Sequence, residues 1–322
     1  MIAPRVLIVG QAFFTLPWIE DCAAGFSAAG AHVQSFNTHG NGLWHRTRYR
    51  LLKRFDARLA NADALADFER VLARFQPQLV LFIAPFHQTG FILAARNFSR
   101  AIVAAWVGDR FTRDDALVAD ACHQLYFSDS GFLNLADEFN FMTPTRWLPL
   151  ATSTRAVATR ARKSQGVFVG NPTCQRQAFL ASVANSLRVL GPGWNTAALP
   201  QHQVSARKIA PANLAAIYAE HAWVLNIRNE KNVIHGLNHR SFEPYVQGTP
   251  VFHDDVADLS RCFEPEQEIL VYRDAEQLAE LSHRAERSPA WLARMGEQGQ
   301  RRVLAEHTYS HRAQTILGDL LN

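Results

Sequence analysis

Short apolar runs alternate along the chain with longer stretches in which apolar residues recur every three or four positions. The first run, at 6–9, ends at Gly10 and precedes a helical pattern that Gly30 closes. Further apolar runs lie at 31–36, 79–83, 101–107 and 124–127. Buried strands that alternate with helices are typical of parallel βαβ units. The N-terminal half is therefore predicted to form a doubly wound parallel sheet.

The same alternation restarts after a polar, basic stretch at 155–165. Apolar runs follow at 166–170, 187–191, 223–227, 249–252 and 268–272, and the tail from 274 has a helical pattern. We therefore expect an α/β protein with two Rossmann-like doubly wound domains, 1–152 and 153–322, that face a central cleft. The last helix is a candidate to cross back to the first domain. The length of 322 residues also favours two domains, each with its own hydrophobic core, over one.

Composition narrows the class of protein. With 48 % hydrophobic and 19 % charged residues the chain is globular, and a net charge of +4 is too small to indicate a nucleic-acid reader. The four cysteines have no CxxC spacing, so we predict neither a metal site nor a disulfide framework. No apolar run approaches the roughly 20 residues of a membrane span, and the start lacks a signal-peptide pattern. We expect a cytoplasmic protein without a transmembrane segment.

Loops that directly follow strands carry the candidate chemistry, because ligands of open parallel sheets bind beyond the carboxyl ends of the strands. In the first half, Gly10 and Gln11 follow the first strand and are either substrate contacts or a plain turn. Asp109 follows the run at 101–107. It is either a general base for a substrate hydroxyl or a helix cap that pairs with a neighbouring arginine.

Two loops of the second half suit a phosphate or a base. Gly170 ends a strand before a helix, and Arg176 lies one turn further on, so backbone N–H groups and a cation could meet a phosphate there. An ordinary surface arginine is the alternative. Trp194 ends a Gly-Pro-Gly turn, and it either stacks on a base or packs in the core.

The stretch after the run at 223–227 is the richest in polar and cationic residues. A diphosphate needs cations and N–H groups, and a ribose needs a carboxylate that accepts from its hydroxyls. Arg240 and Glu243 are three residues apart and share one helix face, where a mere surface ion pair is the alternative. The candidate ligand-binding residues of this stretch are Arg228, Lys231, Gly236, Asn238, Arg240, Glu243, Gly248, Thr249 and Pro250.

Several motifs resemble those of the CgeB-like (spore-protein-type) glycosyltransferases. They are Asn238-x-Arg240-x-Phe242-Glu243, Gly248-Thr249-Pro250, Phe263-Glu264-Pro265 and Tyr272-Arg273-Asp274. The likeness covers most of residues 147–312 and is thin before them. It implies the GT-B fold, with a nucleoside diphosphate sugar held mainly by the second domain. It also implies transfer of the sugar to an acceptor hydroxyl, without a cofactor or a metal.

Within this resemblance, Glu243 corresponds to the second glutamate of the Glu-x7-Glu motif of retaining GT-B enzymes, which is expected on the donor ribose. The first glutamate falls at His235, which cannot act as a carboxylate does but can donate or accept a hydrogen bond. The catalytic candidates are therefore His235 and Asp109, with Asp109 as the base if the reaction inverts. A retaining outcome stays open, in which the leaving phosphate takes the proton.

Other functions and partners also stay open. The alternatives are a nucleotide-sugar epimerase of GT-B-like fold and a non-catalytic nucleotide-sugar-binding protein. A UDP sugar is the expected donor, the acceptor is a glycan, lipid-linked, protein or small molecule, and the chain is a monomer or a homodimer. The segment 44–58 interleaves apolar side chains with basic ones that suit an anionic membrane or acceptor, unless they form a solvated helix face. These basic residues are Arg46, Arg48, Arg50, Lys53, Arg54 and Arg58.

Overall fold

The computed structural model describes residues 3–11, 17–39, 42–86, 88–98, 100–158 and 161–321. The chain divides into two compact units. Unit 1 consists of Met1–Pro149 and Tyr309–Asn322, and unit 2 of Leu150–Thr308. Each unit contains a six-stranded sheet whose neighbouring strands are all parallel. The predicted α/β fold with two doubly wound sheets is confirmed.

The strands are short and follow the predicted apolar runs. In chain order they are β1 Arg5–Gly10, β2 His32–Asn37, β3 Leu79–Ile83, β4 Ile102–Val107, β5 Gln124–Phe127, β6 Thr145–Trp147, β7 Val167–Val169, β8 Arg188–Leu190, β9 Gln203–Ser205, β10 Val224–Asn226, β11 Val251–Asp254 and β12 Leu270–Tyr272. The central strand β3 is 0 % exposed along its length. A parallel strand covered by helices on both faces is apolar throughout, which explains the uninterrupted runs.

Helices connect the strands of both units. In chain order they are α1 Trp18–Ala28, α2 Gly42–Phe55, α3 Ala57–Phe75, α4 Thr89–Asn97, α5 Ala116–Ala119, α6 Gly131–Glu138, α7 Cys174–Ser182, α8 Pro211–Ala219, α9 Glu243–Val246, α10 Leu259–Cys262, α11 Ala275–Arg287, α12 Pro289–Glu306 and α13 Tyr309–Leu321. None of the helices in the described ranges is long and apolar enough to cross a membrane.

The order of the strands places the ligand-binding edge of each sheet. Unit 1 has the order β2-β1-β3-β4-β5-β6, and unit 2 has β9-β8-β7-β10-β11-β12. The strands are added first towards one edge of the sheet and then towards the other. This change occurs between β1 and β3 in unit 1 and between β7 and β10 in unit 2. In open parallel sheets the crevice at such a switch point, beyond the carboxyl ends of the strands, is where ligands bind.

Two strands, β6 and β9, were not predicted from the sequence. Each is three residues long and lies at the edge of its sheet. Their residues are partly exposed, so neither strand needs an apolar run. Neither an alternation of apolar and polar residues nor a continuous apolar run can reveal an edge strand of three residues.

The C-terminal helix α13 belongs to unit 1. Gly25 of α1 lies so close to Tyr309 that a Cβ atom there would stand 2.5 Å from the Tyr309 carbonyl carbon. Tyr126 Oη donates to Asp319 Oδ2 at 2.9 Å, and Arg312 Nε donates to the Pro149 carbonyl at 2.7 Å. The helix is thus held by close backbone packing and by polar contacts to β5 and to the end of the first segment.

Candidate functional site

The carboxyl end of β10 carries a buried asparagine that organises the loop after it. Asn226 is 0 % exposed, and its Nδ2 donates to Ser241 Oγ at 3.0 Å and to Asn238 Oδ1 at 3.3 Å. Asn238 Oδ1 also accepts from the Arg240 backbone N–H at 2.9 Å. The Tyr272 hydroxyl donates to the Asn226 carbonyl at 2.8 Å. The predicted binding stretch is thus fixed to the centre of the sheet.

Arg176 bridges the switch point of unit 2. Its Nε and Nη2 donate to the Ile227 carbonyl at 3.2 and 2.8 Å, and its Nη1 donates to the Asn171 carbonyl at 3.1 Å. Burial, and to a smaller extent the positive charge of Arg240, lower the pKa of this guanidinium to about 9, so the group stays charged at neutral pH. Since only 4 % of Arg176 is exposed, it braces the loops after β7 and β10 instead of reaching out as a surface arginine.

Asp254, at the carboxyl end of β11, is a site residue that the sequence reasoning missed. Its two oxygens each accept from the Arg228 backbone N–H at 3.2 Å, and Oδ2 lies 3.7 Å from Arg228 Nε. His253 Nδ1 lies 3.1 Å from Asp254 Oδ1. The rule that strand-end loops carry the chemistry points to this carboxylate, because it ends β11 and lies two residues after the predicted apolar run at 249–252.

Arg240 and Glu243 lie near each other without forming the ion pair that was their alternative role. Within the described ranges, no carboxylate oxygen lies within 4 Å of the Arg240 guanidinium, whose Nε donates to Asn226 Oδ1 at 3.4 Å. Glu243 Oε2 accepts from the Tyr218 hydroxyl at 3.5 Å. Burial lowers the pKa of Arg240, while Tyr218, Glu243 and Asp254 raise it. A half-buried cation without a bonded carboxylate is suited to an anionic ligand.

The charges around this loop do not cancel. Three guanidinium groups surround it, those of Arg176, Arg228 and Arg240, but only two carboxylates do, those of Asp254 and Glu243. The charge of Asp254 raises the pKa values of both Arg176 and Arg240. Uncompensated positive charge in a partly buried site favours binding of an anion. The cluster lies at the switch point, where the fold itself predicts a ligand.

Gly170 and Trp194 form a structural pair. The Gly170 N–H is donated to the Leu190 carbonyl at 2.9 Å, and its carbonyl accepts from Trp194 Nε1 at 2.8 Å. Trp194 is 4 % exposed and meets Phe168 edge to face at 5.9 Å. Core packing, the alternative for Trp194, is therefore what the structure has, and the Gly170 N–H is not available to a phosphate.

The turn Gly248-Thr249-Pro250 is also structural. It precedes β11 and so lies at the amino end of that strand, away from the carboxyl edge. Gly248 has φ +65°, which favours glycine. Thr249 is 0 % exposed, and its Oγ1 donates to the Tyr218 carbonyl at 2.9 Å. The turn thus places Tyr218, whose hydroxyl contacts Glu243, and does not itself present groups to a ligand.

The remaining residues of the predicted stretch lie along its loop. The His235 carbonyl accepts from the Asp258 N–H at 3.0 Å, so the start of α10 anchors the loop. Gly236 is buried, and Lys231 is exposed. The Lys231 N–H is donated to Asn229 Oδ1 at 3.3 Å, which shapes the turn that carries its ammonium group.

A cavity of about 280 Å³ lies at the switch point of unit 1. It is lined by Gln11, Thr38, His39, Tyr49, Asn61, Ala62, Leu65, Gln88, Gly90 and Phe91. Gly10, at the end of β1, is buried beside it, and its carbonyl accepts from the Thr38 N–H at 3.0 Å. The acceptor-side prediction for Gln11 thus falls on a cavity wall at the edge where ligands bind.

Two oxygens in the wall of this cavity have no hydrogen-bond partner among the residues that the structure describes. Thr38 Oγ1 and Gln88 Oε1 are buried and unbonded, although Gln88 Nε2 donates to the carbonyls of Ile83 and Ala84 at 3.1 and 2.8 Å. A buried polar group without a partner is costly, so each such group needs an explanation. A bound ligand that donates hydrogen bonds to these two oxygens would explain why they are unbonded.

Asp109 lies in an exposed loop after β4, one strand along from β3 at the same edge of the sheet. A Cβ atom at Gly108 would stand 2.6 Å from the Trp18 ring, so this glycine lets the loop turn close to α1.

In the described ranges, no group of three or more histidine, cysteine, aspartate or glutamate side chains could hold a metal ion.

His239, inside the site, makes the stability of unit 2 depend on pH. Burial lowers its pKa to about 4, whereas an unfolded histidine titrates near pH 6.5. Between these values only the unfolded chain binds the proton, so stability falls as the pH falls below 6.5. We expect His239→Asn to remove about 2 kcal/mol of the stability difference between pH 7 and pH 5, measured by urea unfolding. An unchanged difference would contradict the account, and the exposed His283→Asn is the control.

Comparisons with known proteins relate this fold to that of solved structures. Residues 175–318 match the model of a family described as glycosyl transferase-like. Sucrose-phosphate synthase from Thermosynechococcus elongatus has a similar structure, with a TM-score of 0.67 and 13 % identity over 98 % of each chain. HepE from Anabaena in complex with UDP-glucose gives a TM-score of 0.68 and 10 % identity over 98 % of this chain and 100 % of that chain. No curated protein matches the sequence significantly.

A glycosyltransferase from Rickettsia africae also has this fold, with a TM-score of 0.68 and 7 % identity over 99 % of this chain and 98 % of that chain. The fold is therefore the GT-B fold of glycosyltransferases. Most of unit 2, together with α13, carries the glycosyl transferase-like sequence. The switch-point cluster of unit 2 lies within that matched region.

Proposed function

We propose that the protein transfers a sugar from a nucleoside diphosphate sugar to a hydroxyl group of an acceptor. The observation that carries the proposal is the positively charged cluster at the carboxyl edge of unit 2, with Arg240 unpaired beside Glu243. This arrangement of charges supports binding of a ligand that is anionic at one end and rich in hydroxyls at the other. A diphosphate joined to a ribose has this pattern.

The donor contacts follow from the positions of these groups. Arg240 binds the diphosphate, Arg228 and the exposed Lys231 add positive charge, and Asn238 holds the loop in shape. Glu243 accepts hydrogen bonds from the ribose. We propose uridine as the base because HepE, which has the same fold, is described in complex with UDP-glucose.

The chemistry needs stabilisation of the charge that develops on the leaving nucleoside diphosphate. Arg240 and the buried positive charge of Arg176 supply it, so we propose that transfer needs neither a metal ion nor a cofactor. His235 hydrogen-bonds the transferred sugar or its phosphate, and Asp109 is the base for the acceptor hydroxyl in an inverting reaction. The motifs around Asn238 and Gly248 support placement near the CgeB-like enzymes.

The cavity of unit 1 is proposed to hold a sugar ring of the acceptor. The described residues that line it include no lysine, arginine, aspartate or glutamate. Burial and Lys53 lower the pKa of His39, so that wall is neutral as well. The Tyr49 and His39 rings stack at 4.9 Å. A neutral ligand with many hydroxyls fits these aromatic faces and the unbonded oxygens.

Thr38→Val tests the acceptor cavity. Removing one neutral hydrogen bond, worth about 1 kcal/mol, should weaken sugar binding roughly fivefold. The fold should be no less stable, because the lost hydroxyl has no partner. Saturation-transfer NMR with glucose, galactose, mannose and N-acetylglucosamine measures the binding, and Thr315→Val in α13 is the matched control. If none of these sugars receives saturation from the wild-type protein, the assignment of the cavity is wrong.

A thermal-shift screen tests the function as a whole. A ligand that binds only the folded state raises the melting temperature by an amount that grows with the logarithm of its concentration divided by its dissociation constant. Sugars of uridine, guanosine, thymidine, adenosine and cytidine diphosphate are compared, and we expect the largest shift with a uridine diphosphate sugar. Release of free sugar or its appearance on an acceptor separates transfer from epimerisation of the donor. The absence of a shift with all five would refute the proposal.

A further inference from the structure

Helix α2 exposes a row of large apolar side chains. Trp44, Leu51 and Phe55 are 75 %, 52 % and 86 % exposed. They are separated by seven and four residues, which places them on one face of the helix. Leu59, at the start of α3, is 57 % exposed and follows them along the chain. We call Trp44, Leu51 and Phe55 the α2 stripe.

The α2 stripe is distinct from the face that holds α2 on the protein. Tyr49 is 8 % exposed, and together with Leu52 it packs against a cluster that contains Ala60 and Ala64 of α3. The helix therefore has one apolar face in the core and a second one that is exposed. Packing of unit 1 explains the first face and leaves the second unexplained.

Unpaired cations flank the stripe. The helix has no acidic residue among its 14 positions. Arg48 pairs with Asp63 of α3. Within the described ranges, no carboxylate forms an ion pair with the exposed cations on α2 and the first turn of α3. These cations are Arg50, Arg54 and Arg58. Lys53 lies on the far side of the helix, with its Nζ over the Tyr49 ring at 5.9 Å from the centroid.

This combination favours a lipid surface as the partner. Interfacial helices bury one apolar face, often with Trp, Phe and Leu, at the level of the headgroups, while Lys and Arg meet anionic lipids. The exposed indole of Trp44 suits the headgroup region, and Leu51 and Phe55 suit the acyl chains. A nucleic acid would use the cations but would leave Leu51 without a role.

We propose that the α2 stripe and its cations dock the protein on an anionic membrane surface. Tyr49, from the same helix, lines the cavity of unit 1. Because a helix is about 10 Å wide, docking would bring that cavity close to the headgroups. This inference stands independently of the proposed reaction, since it concerns the opposite face of α2.

Co-sedimentation of the whole chain with lipid vesicles tests the docking. One set of vesicles is phosphatidylcholine alone, and the other contains phosphatidylglycerol as well. We expect binding to the anionic vesicles that falls as salt is added, since salt screens surface charge, and little binding to the neutral ones. Binding that is equal on both kinds of vesicle would overturn the proposal.

Two triple variants separate the contributions. Trp44→Ser with Leu51→Ser and Phe55→Ser should lower the partition coefficient at least tenfold. The α2 charge variant, Arg50→Gln with Arg54→Gln and Arg58→Gln, should lower it roughly 100-fold, at about fivefold for each charge. All six side chains are exposed, so the melting temperature should stay near that of the wild type.

Matched controls come from elsewhere on the surface. Leu117 and Met142 are 83 % and 82 % exposed, and Leu117→Ser with Met142→Ser should bind vesicles as the wild type does. Arg74→Gln, Arg100→Gln and Arg301→Gln remove the same net charge at exposed positions outside α2. This charge control should lose much less binding than the α2 charge variant.

Three results would overturn the proposal. The first is equal binding by the stripe variant and the wild type. The second is retention of single-stranded RNA that depends on the cations, in the absence of vesicle binding. The third is a wild-type dimer, detected by light scattering, that the stripe variant converts to a monomer while vesicles stay unbound.

Discussion

Replacing Glu243 by alanine should weaken binding of UDP to the protein by about 100-fold. A carboxylate that accepts from both ribose hydroxyls makes two hydrogen bonds, each worth about 1.5 kcal/mol or more because one partner is charged. The change also leaves the Tyr218 hydroxyl without its acceptor at 3.5 Å. Isothermal titration calorimetry with UDP measures the loss, which should appear in the dissociation constant and not in the stoichiometry.

Matched variants make this result specific. Glu243→Gln keeps the shape and one acceptor oxygen, so we expect a loss of roughly tenfold, between the wild type and the alanine variant. Glu276→Ala, at an exposed position of α11, should bind UDP as the wild type does. If Glu243→Ala binds UDP with wild-type affinity, the ribose does not bind in this part of the site.

Replacing Arg240 by methionine should slow the reaction by about 100-fold to 1000-fold in kcat, the size expected for one charge-stabilising donor. The guanidinium has no carboxylate bonded to it among the described residues, so its charge is available to the leaving diphosphate. The change in KM should be smaller, because the charge grows as the bond to the sugar breaks. Release of UDP from UDP-glucose, with water as acceptor, measures both constants.

The conservative variant Arg240→Lys separates charge from geometry. Lysine keeps the charge but lacks the planar fork of donors, so we expect it to recover only part of the lost rate. Arg273→Met removes an exposed arginine that pairs with Asp255 and should keep the wild-type rate. If Arg240→Met raises KM while kcat stays unchanged, Arg240 binds the ground state alone and the proposed role is wrong.

The sequence predicted the fold well because buried parallel strands need continuous apolar residues. The runs at 79–83 and 124–127 coincide with β3 and β5, and the other predicted runs overlap their strands. The edge strands β6 and β9 escaped prediction because three half-exposed residues carry no apolar signal. Strand order, which places both switch points, depends on long-range pairing that no local pattern encodes.

The site could be predicted as a region but not residue by residue. Arg240 and Asn238 are joined through Asn226 in one hydrogen-bonded network, as their position after β10 suggested, whereas Glu243 accepts from Tyr218. Arg176 and Trp194 do follow strands, but their polar side-chain atoms bond to backbone carbonyls of their own unit. Thr249 precedes β11 instead of following it, and its hydroxyl bonds to the Tyr218 carbonyl. Which way a side chain turns after a strand depends on packing between elements, and loop position alone does not specify it.

Asp254 shows the opposite case. It ends β11 and pairs with Arg228, yet the predicted apolar run stops at 252, so the sequence did not mark this residue as the end of a strand. The buried Asn226 is similar, since only the structure shows that its side chain bonds to Asn238 and Ser241. Polar residues at the last position of a buried strand, such as Asn226 in β10 and Asp254 in β11, are therefore site candidates that an apolar run alone does not reveal.

A crystal structure of the protein with bound UDP tests the central claim most directly. The account predicts a diphosphate within hydrogen-bond distance of Arg240, at the carboxyl ends of β7 and β10, and ribose hydroxyls on Glu243. UDP bound elsewhere in unit 2, or in unit 1, with Arg240 and Glu243 untouched, would contradict it.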